Sequence, residues 1–521
     1  MMRISNDSRT GKSIHNIGAS LLLKIFQILL PFVSRTIIIK EFGVEYTGIS
    51  GLFASIIGML GLADLGMTNA LNYALYKPIE ERNIKKTNEV LNLYRKSFTI
   101  IGVVILGLGL AIVPFLEFFI KEGTYPSGLN LQLLYVGYLV NTVCTYMLFA
   151  YNVALIEAFQ LGFKVTLIRA RMLILQYLAQ IAVLVLLKDY YLYTFALPVF
   201  SIMTSLAIAR YSRVRFPEYR PSGKLEREES KKIFRNIKAG LLYKIGSVIY
   251  NSGDSMIISY FLGAAVLGVF NSYYYILSAL FMVLGAIYTP MIPSIGNSIV
   301  TDSKEKNYSD FLNLTYVYNW LIGWCTICLL CILQPFMRWW LGEEMLLDHT
   351  CVIFFVIYFY VFRMRDIIGI YKDAAGQWVK DQYRPIIGGV ANIILNIVFV
   401  KYFGVMGVLI ASIITVALIS YPLSLKVILD YFGVRSREYH LMQIRFVLSI
   451  VISALITYGI CELLFHSDHG GIVNIVLRAL ICIAVPNVIV YLLNHRDARF
   501  KEAVKFMKQK IKIIFSKNTE G

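Results

Sequence analysis

Acidic residues are scarce in this chain: 32 aspartates and glutamates stand against 50 lysines and arginines in 521 residues, a formal charge of +18. Few of those acids fall inside apolar runs, so a buried cation-binding pocket or a pair of carboxylates for hydrolysis has little to draw on. Cysteine is sparse too. The seven cysteines lie mostly within apolar runs, which excludes a disulfide framework. Cys325, Cys328 and Cys331 form CxxCxxC, but Pro335 stands where a ferredoxin-like fourth cysteine would fall. They read as small buried hydrophobes, and no metal is expected. His466 and His469 flank Asp468 too sparsely for a metal site and read as a solvated turn. There is no Walker motif, so ATP hydrolysis is not the energy source. Gly107 and Gly109 in GLGLAIVP sit mid-run with no strand before them, which excludes a nucleotide fold. No cofactor is expected.

What is abundant is apolar length. The composition is 57% hydrophobic with a mean hydropathy of +0.64, and runs of about 20 apolar residues follow one another throughout. We read an all-α polytopic membrane protein with about fourteen transmembrane helices, near 14–39, 45–75, 97–120, 130–156, 165–187, 190–209, 239–262, 264–295, 312–337, 350–371, 385–403, 405–430, 443–465 and 471–493. Residues 1–13 are polar and the first run is long, so it reads as a retained helix rather than a cleaved signal. The basic excess follows topology. Lys77, Arg82, Lys85, Lys86, Arg95 and Lys96, ten cations from Arg210 to Lys238, then Arg363, Arg365, Lys372, Lys380, Arg384, Lys426, Arg435 and Arg437 all fall on one side. The opposite turns carry about one each: Lys40, Lys121, Lys188, Arg338 and Lys401. The positive-inside rule then places both termini in the cytoplasm, and nucleic acid is not an expected partner.

Residues 19–48 recur at 239–268 with nine identities in register, among them Lys24/Lys244, Gly43/Gly263 and Gly48/Gly268. Such a repeat predicts two halves of six helices entering the membrane in the same direction, with an appended pair. We expect an N-terminal bundle at 1–209, a basic cytoplasmic linker at 210–238, a C-terminal bundle at 239–440, the appended helices at 441–495, and a basic amphipathic tail at 496–521. In that tail Phe500, Val504, Met507, Ile511 and Ile514 alternate with Lys501, Lys505, Lys508 and Lys512, as in a helix lying on an anionic leaflet or a frayed basic end. Pro31, Pro114, Pro198, Pro422 and Pro486 fall inside apolar runs and can bend their helices.

Cations inside apolar helices are costly and point to function. Lys24 and Arg35 are 11 residues apart, on one helical face about 16 Å apart along the axis. Lys244 repeats the first of them, and Arg169 and Arg171 near the inner end of the fifth run could join the same vestibule or snorkel to the interface. Together they read as a hydrated, cation-lined cavity for a phosphate-bearing substrate. Asp64 and Asp254 are the embedded acids, there to pair with these cations or to carry a coupling ion. The run Tyr273–Tyr275 reads as part of an interfacial tyrosine belt rather than a sugar-stacking face.

The segment SRTIIIKEFGVEYTGISGLFASIIGMLGLADLGMTNAL (Ser34 to Leu71), its Gly43/Gly48 turn and the Asp64-Leu65-Gly66 element, together with ANIILNIVFVKYFGVMGVLIASII (Ala391 to Ile414), resemble the multidrug/oligosaccharidyl-lipid/polysaccharide (MOP) exporter superfamily in its polysaccharide-transport, Wzx-like flippase branch. The resemblance implies a flippase that moves undecaprenyl-pyrophosphate-linked oligosaccharide across the bacterial cytoplasmic membrane by alternating access, for O-antigen, capsule or exopolysaccharide assembly. Lys24, Arg35 and Lys244 would then hold the pyrophosphate, with proton or sodium coupling and a polysaccharide polymerase as partner. A peptidoglycan lipid-precursor flippase is the neighbouring reading. A polytopic polymerase or glycosyltransferase is the reading from another class, disfavoured by the short outer turns.

Overall fold

The computed structural model describes residues 9–64, 67–435, 437–465 and 471–517. Among them the chain is helical with no strand, and it divides into two compact units, Met1–Val283 and Leu284–Gly521.

The first unit holds α1 (Arg9–Glu41), α2 (Val44–Leu60), α3 (Met67–Glu80), α4 (Ile84–Ile112), α5 (Leu131–Met147), α6 (Ala150–Ala158), α7 (Gly162–Ala182), α8 (Tyr190–Arg215), α9 (Arg227–Leu262) and most of α10 (Ala264–Tyr288). Polar residues start these helices where the apolar pattern resumes: Asn83, Asn130 and Asp189 each accept a backbone N–H from the first turn. α1 packs on α7 and α2, α5 on α4 and α8, and α9 on α2 and α3. α5 and α6 form one apolar path bent by 45°, turning at Phe149, whose φ is 59°. The stretch after α8 is stitched to α4, with Asn92 Nδ2 donating to the Gly223 carbonyl at 2.5 Å and Asn88 Oδ1 accepting from Arg220 N–H at 2.7 Å. Lys86 Nζ donates to Glu229 at 2.5 Å, a further tie between α4 and α9.

Two glycines of the sequence repeat face each other. Gly43 and Gly263 end their helices at φ 109° and 97°, a region closed to most side chains, so α2 and α10 can start at once. A methyl group on Gly48 would lie 1.9 Å from the Ala264 carbonyl oxygen, and one on Gly268 2.1 Å from that of Val44. Only glycine permits this backbone approach. The repeat extends through the element order: α2 and α10 begin at Val44 and Ala264, α4 and α12 at Ile84 and Lys304, each pair 220 residues apart.

The second unit holds α11 (Ile292–Thr301), α12 (Lys304–Leu341), α13 (His349–Arg363), α14 (Asp366–Ala374), α15 (Arg384–Thr415), α16 (Tyr421–Phe432), α17 (Arg437–Phe465), α18 (Ile472–Asn494) and α19 (Ala498–Lys517). α13 and α14 repeat the interrupted pattern of α5 and α6. Gly404, at φ 57°, reverses the backbone inside α15; Asn392 Nδ2 donates across the bend to Ser412 Oγ at 3.0 Å, and Asn396 Nδ2 to Asn392 Oδ1 at 3.1 Å. α17 and α18 pack on each other and on α12, joined by Trp320 to Asn487 at 2.9 Å and Trp324 to the Cys482 carbonyl at 2.8 Å. Interhelical hydrogen bonds of this kind hold helices together where lipid gives no hydrophobic drive. Their outward faces, with Leu448, Leu455, Leu480 and Ile483, stay exposed for lipid. α19 is helical and docked: Phe500 is buried against Tyr316, Trp320 and Tyr491. Ile511, Lys512 and Ile514 lie outside the described side chains, and His466, Asp468 and His469 outside the described residues. Between α14 and α15 a buried triad forms, with Asp381 accepting from Lys372 Nζ at 2.5 Å and from Arg384 Nε at 2.8 Å.

Among the described residues eight helices are long and apolar enough to cross a membrane, or nine if the bent α5–α6 pair is one span. The expected fourteen is not reached this way. One of the eight, Arg384–Phe432, contains two expected spans joined at Gly404. α2 and α13, at 17 and 15 residues, fall below the length of a simple span.

Candidate functional site

The charged centre of the first unit is Arg35, late in α1. Pro31 removes a backbone donor from the preceding turn, and the Tyr275 hydroxyl donates to the Ile28 carbonyl there. The same tyrosine ring lies 5.5 Å from the guanidinium, within cation–π reach. Arg35 Nη1 donates to Ser272 Oγ at 3.2 Å, and that hydroxyl donates onward to the Gly268 carbonyl at 2.9 Å. The cation is thereby tied to the glycine contact. Tyr193 and Tyr190 of α8 and Tyr138 of α5 complete the groups acting on it. Tyr190 stacks on Tyr193 at 5.3 Å and meets Tyr46 edge-on at 4.7 Å. No carboxylate among the described residues forms an ion pair with Arg35. A guanidinium surrounded by phenol rings and hydroxyls, with no carboxylate partner among the described residues, can bind an external anion and present aromatic faces beside it.

The other expected residues fall as follows. Lys24 is half-buried on α1 and has no hydrogen-bond or ion-pair partner among the described residues. The side chains of Lys244 and Asp64 lie outside the described residues. Arg169 and Arg171 stand exposed on α7, outside the tyrosine set, and Arg169 has Glu157 in electrostatic reach. Asp254 is half-buried on α9 and engaged in an interaction.

One reading needs correction. Tyr273 is fully buried and Tyr275 turns inward to Arg35, so neither belongs to an interfacial belt; the reciprocal glycine contact brings α10 too close to α2 for that. Arg363, expected among the inner-loop cations, is largely enclosed and pairs with Asp366 at 3.3 Å, as Lys372 and Arg384 pair with Asp381. Asp366 also accepts the Tyr318 hydroxyl at 2.5 Å, and Tyr288 lies edge-on to Tyr318 at 5.8 Å. This second polar cluster sits at the break between α13 and α14. Its sequence signal was RMRD at the end of an apolar run, which reads equally as a solvated loop.

The family model described as polysaccharide biosynthesis protein matches residues 13–298, more than half of the chain. No match was found among curated proteins. Among solved structures, the fold is similar to that of the lipid II flippase MurJ in an inward closed conformation, at 15% identity and TM-score 0.68 over 93% of this chain and 98% of that one. It is similar to an inward-facing multidrug resistance MATE family transporter of the MOP superfamily, at 15% identity and TM-score 0.62 over 79% and 96%. A MOP superfamily transporter from Pyrococcus furiosus, described as having a binding pocket of reversed polarity, matches at 14% identity and TM-score 0.58 over 80% and 94%. With its amino-terminal half inside that family model and its helices in this order, the chain belongs to the polysaccharide biosynthesis protein family and has the fold of MOP superfamily transporters.

Proposed function

We propose that the protein is a flippase that carries undecaprenyl-pyrophosphate-linked oligosaccharide repeat units across the bacterial cytoplasmic membrane by alternating access, with both termini in the cytoplasm. The observation that carries this reading is Arg35, a cation held among tyrosines and without a carboxylate partner among the described residues. A diphosphate accepts bidentate hydrogen bonds from a guanidinium, and phenol rings stack on sugar faces. Lys24, on the same helix, extends the positive face, with Lys244, Arg169 and Arg171 as further cavity cations. Asp64 and Asp254 serve charge pairing or coupling to a proton or sodium ion. The protein then acts by binding and rocking rather than by making or breaking bonds, and its product supplies a polysaccharide polymerase. Carriage of a peptidoglycan lipid precursor rests on the same diphosphate chemistry with a different sugar, and the likeness to a lipid II flippase over 93% of the chain favours it as the second reading.

Proteoliposomes carrying a fluorescent lipid-linked oligosaccharide test this, with leaflet exposure followed by reductant access. Wild-type protein should exchange the lipid faster than empty vesicles. Arg35→Gln should slow exchange about tenfold or more, the loss expected for a charged hydrogen bond, with Arg35→Lys in between. Comparing a repeat-unit glycan with a muropeptide headgroup separates the two readings. No exchange with either, under proton and sodium gradients, would overturn both; glycan elongation in the same vesicles would make the protein a polymerase or glycosyltransferase.

A further inference from the structure

We infer that Cys331, Cys461 and Cys482 form a binding site for one thiophilic d10 cation of the Zn2+ class. The three come from three helices, α12, α17 and α18, and all are fully buried. Their sulfur atoms all lie within 4.8 Å of one another. Bonds of about 2.3 Å to one ion hold thiolate sulfurs about 3.8 Å apart in a tetrahedral arrangement, so small side-chain rotations close the set. Cys328, one turn before Cys331 on α12, lies beside Cys482 but outside the mutually close set. The CxxCxxC spacing in the sequence therefore contributes one member, Cys331, and the other two come from distant helices.

The surroundings supply what an ion here needs. Three thiols release three protons on binding a divalent ion, leaving one net negative charge. Arg478 is the nearby countercharge. It is buried, its Nη1 donates to the Cys331 carbonyl at 3.3 Å and to Glu462 at 2.8 Å, and its Nε donates to Asn474 at 2.8 Å. Glu462 follows Cys461 directly and is 37% exposed, so it marks a polar path for an entering cation and departing protons. Bound, the ion pins α17 and α18 to α12, the junction that Trp320 and Trp324 hold by hydrogen bonds. This site is independent of the transport reading.

The test uses the full chain purified in detergent under reducing conditions, incubated with Zn2+ or Cd2+ and desalted. Expected are one ion per chain by elemental analysis and a sulfur-to-cadmium charge-transfer band in the ultraviolet. Cys461→Ser should lower the retained metal about tenfold or more, while Cys144→Ser, outside the set, leaves it unchanged. Should Cys461→Ser elute as aggregate, the wild-type protein still decides: preloaded Zn2+ should slow maleimide labelling of Cys331, Cys461 and Cys482 but not of Cys144. Folded wild-type protein that retains neither ion, unchanged labelling, or a disulfide among the three in the isolated protein would overturn the site.

Discussion

Asp381 faces two cations, Lys372 and Arg384, and is itself fully enclosed. Breaking a buried ion pair from one side strands the remaining charge at a cost of about 3–5 kcal/mol, whereas an exposed pair contributes at most about 1 kcal/mol. Asp381→Ala should therefore lower the melting temperature of the detergent-solubilised protein markedly. Glu343→Ala, which removes only the exposed partner of Arg338, should leave it nearly unchanged. The same contrast explains which site residues were legible. A charge such as Arg35 stands out in an apolar run because its presence there is costly. Its partners Tyr138, Tyr190, Tyr193 and Tyr275 lie on three other helices and look like any membrane tyrosines. The cysteine trio is similar: local spacing shows CxxCxxC, while Cys461 and Cys482 reach it only through the packing of α17 and α18 on α12.

Elements were easier to read than contacts. The apolar runs anticipate α1 and α9 and a boundary at Gly404, whereas the run expected as one span at 45–75 is divided into α2 and α3. The interruption between α13 and α14 was missed, since Met364 and Arg365 neither remove a backbone donor nor require a left-handed conformation. The glycines of α2 and α4 give a direct test of close approach. Gly48→Ala drives a methyl into the Ala264 carbonyl oxygen and should destabilise by at least about 1–3 kcal/mol, as overpacking does. Gly107→Ala, exposed on α4 with nothing within 4 Å, should be neutral or stabilising by up to about 1 kcal/mol, as a helix-interior glycine replaced by alanine is. Thermal melting of the two purified variants checks both, and equal behaviour would remove the special role of the α2–α10 contact.

At the scale of the whole molecule, charge distribution makes the sharpest claim. If basic segments stay inside, single cysteines placed at Lys121 and Lys188 should react with a membrane-impermeant maleimide in intact cells. One placed at Lys224 should react only after permeabilisation. Labelling of all three from outside would reverse the orientation assigned to the chain. The contact at the glycines has a wider meaning. Val44 touches Gly268, and Ala264, its counterpart 220 residues on, touches Gly48. Such reciprocity is what two identical subunits make about a two-fold axis. The single chain thus behaves at this point as a homodimer joined end to end. Joining frees each copy to diverge away from the shared contact: the first carries Ser34 and Arg35 where the second carries Asp254 and Ser255. Two identical copies would carry the same charge at both of these positions.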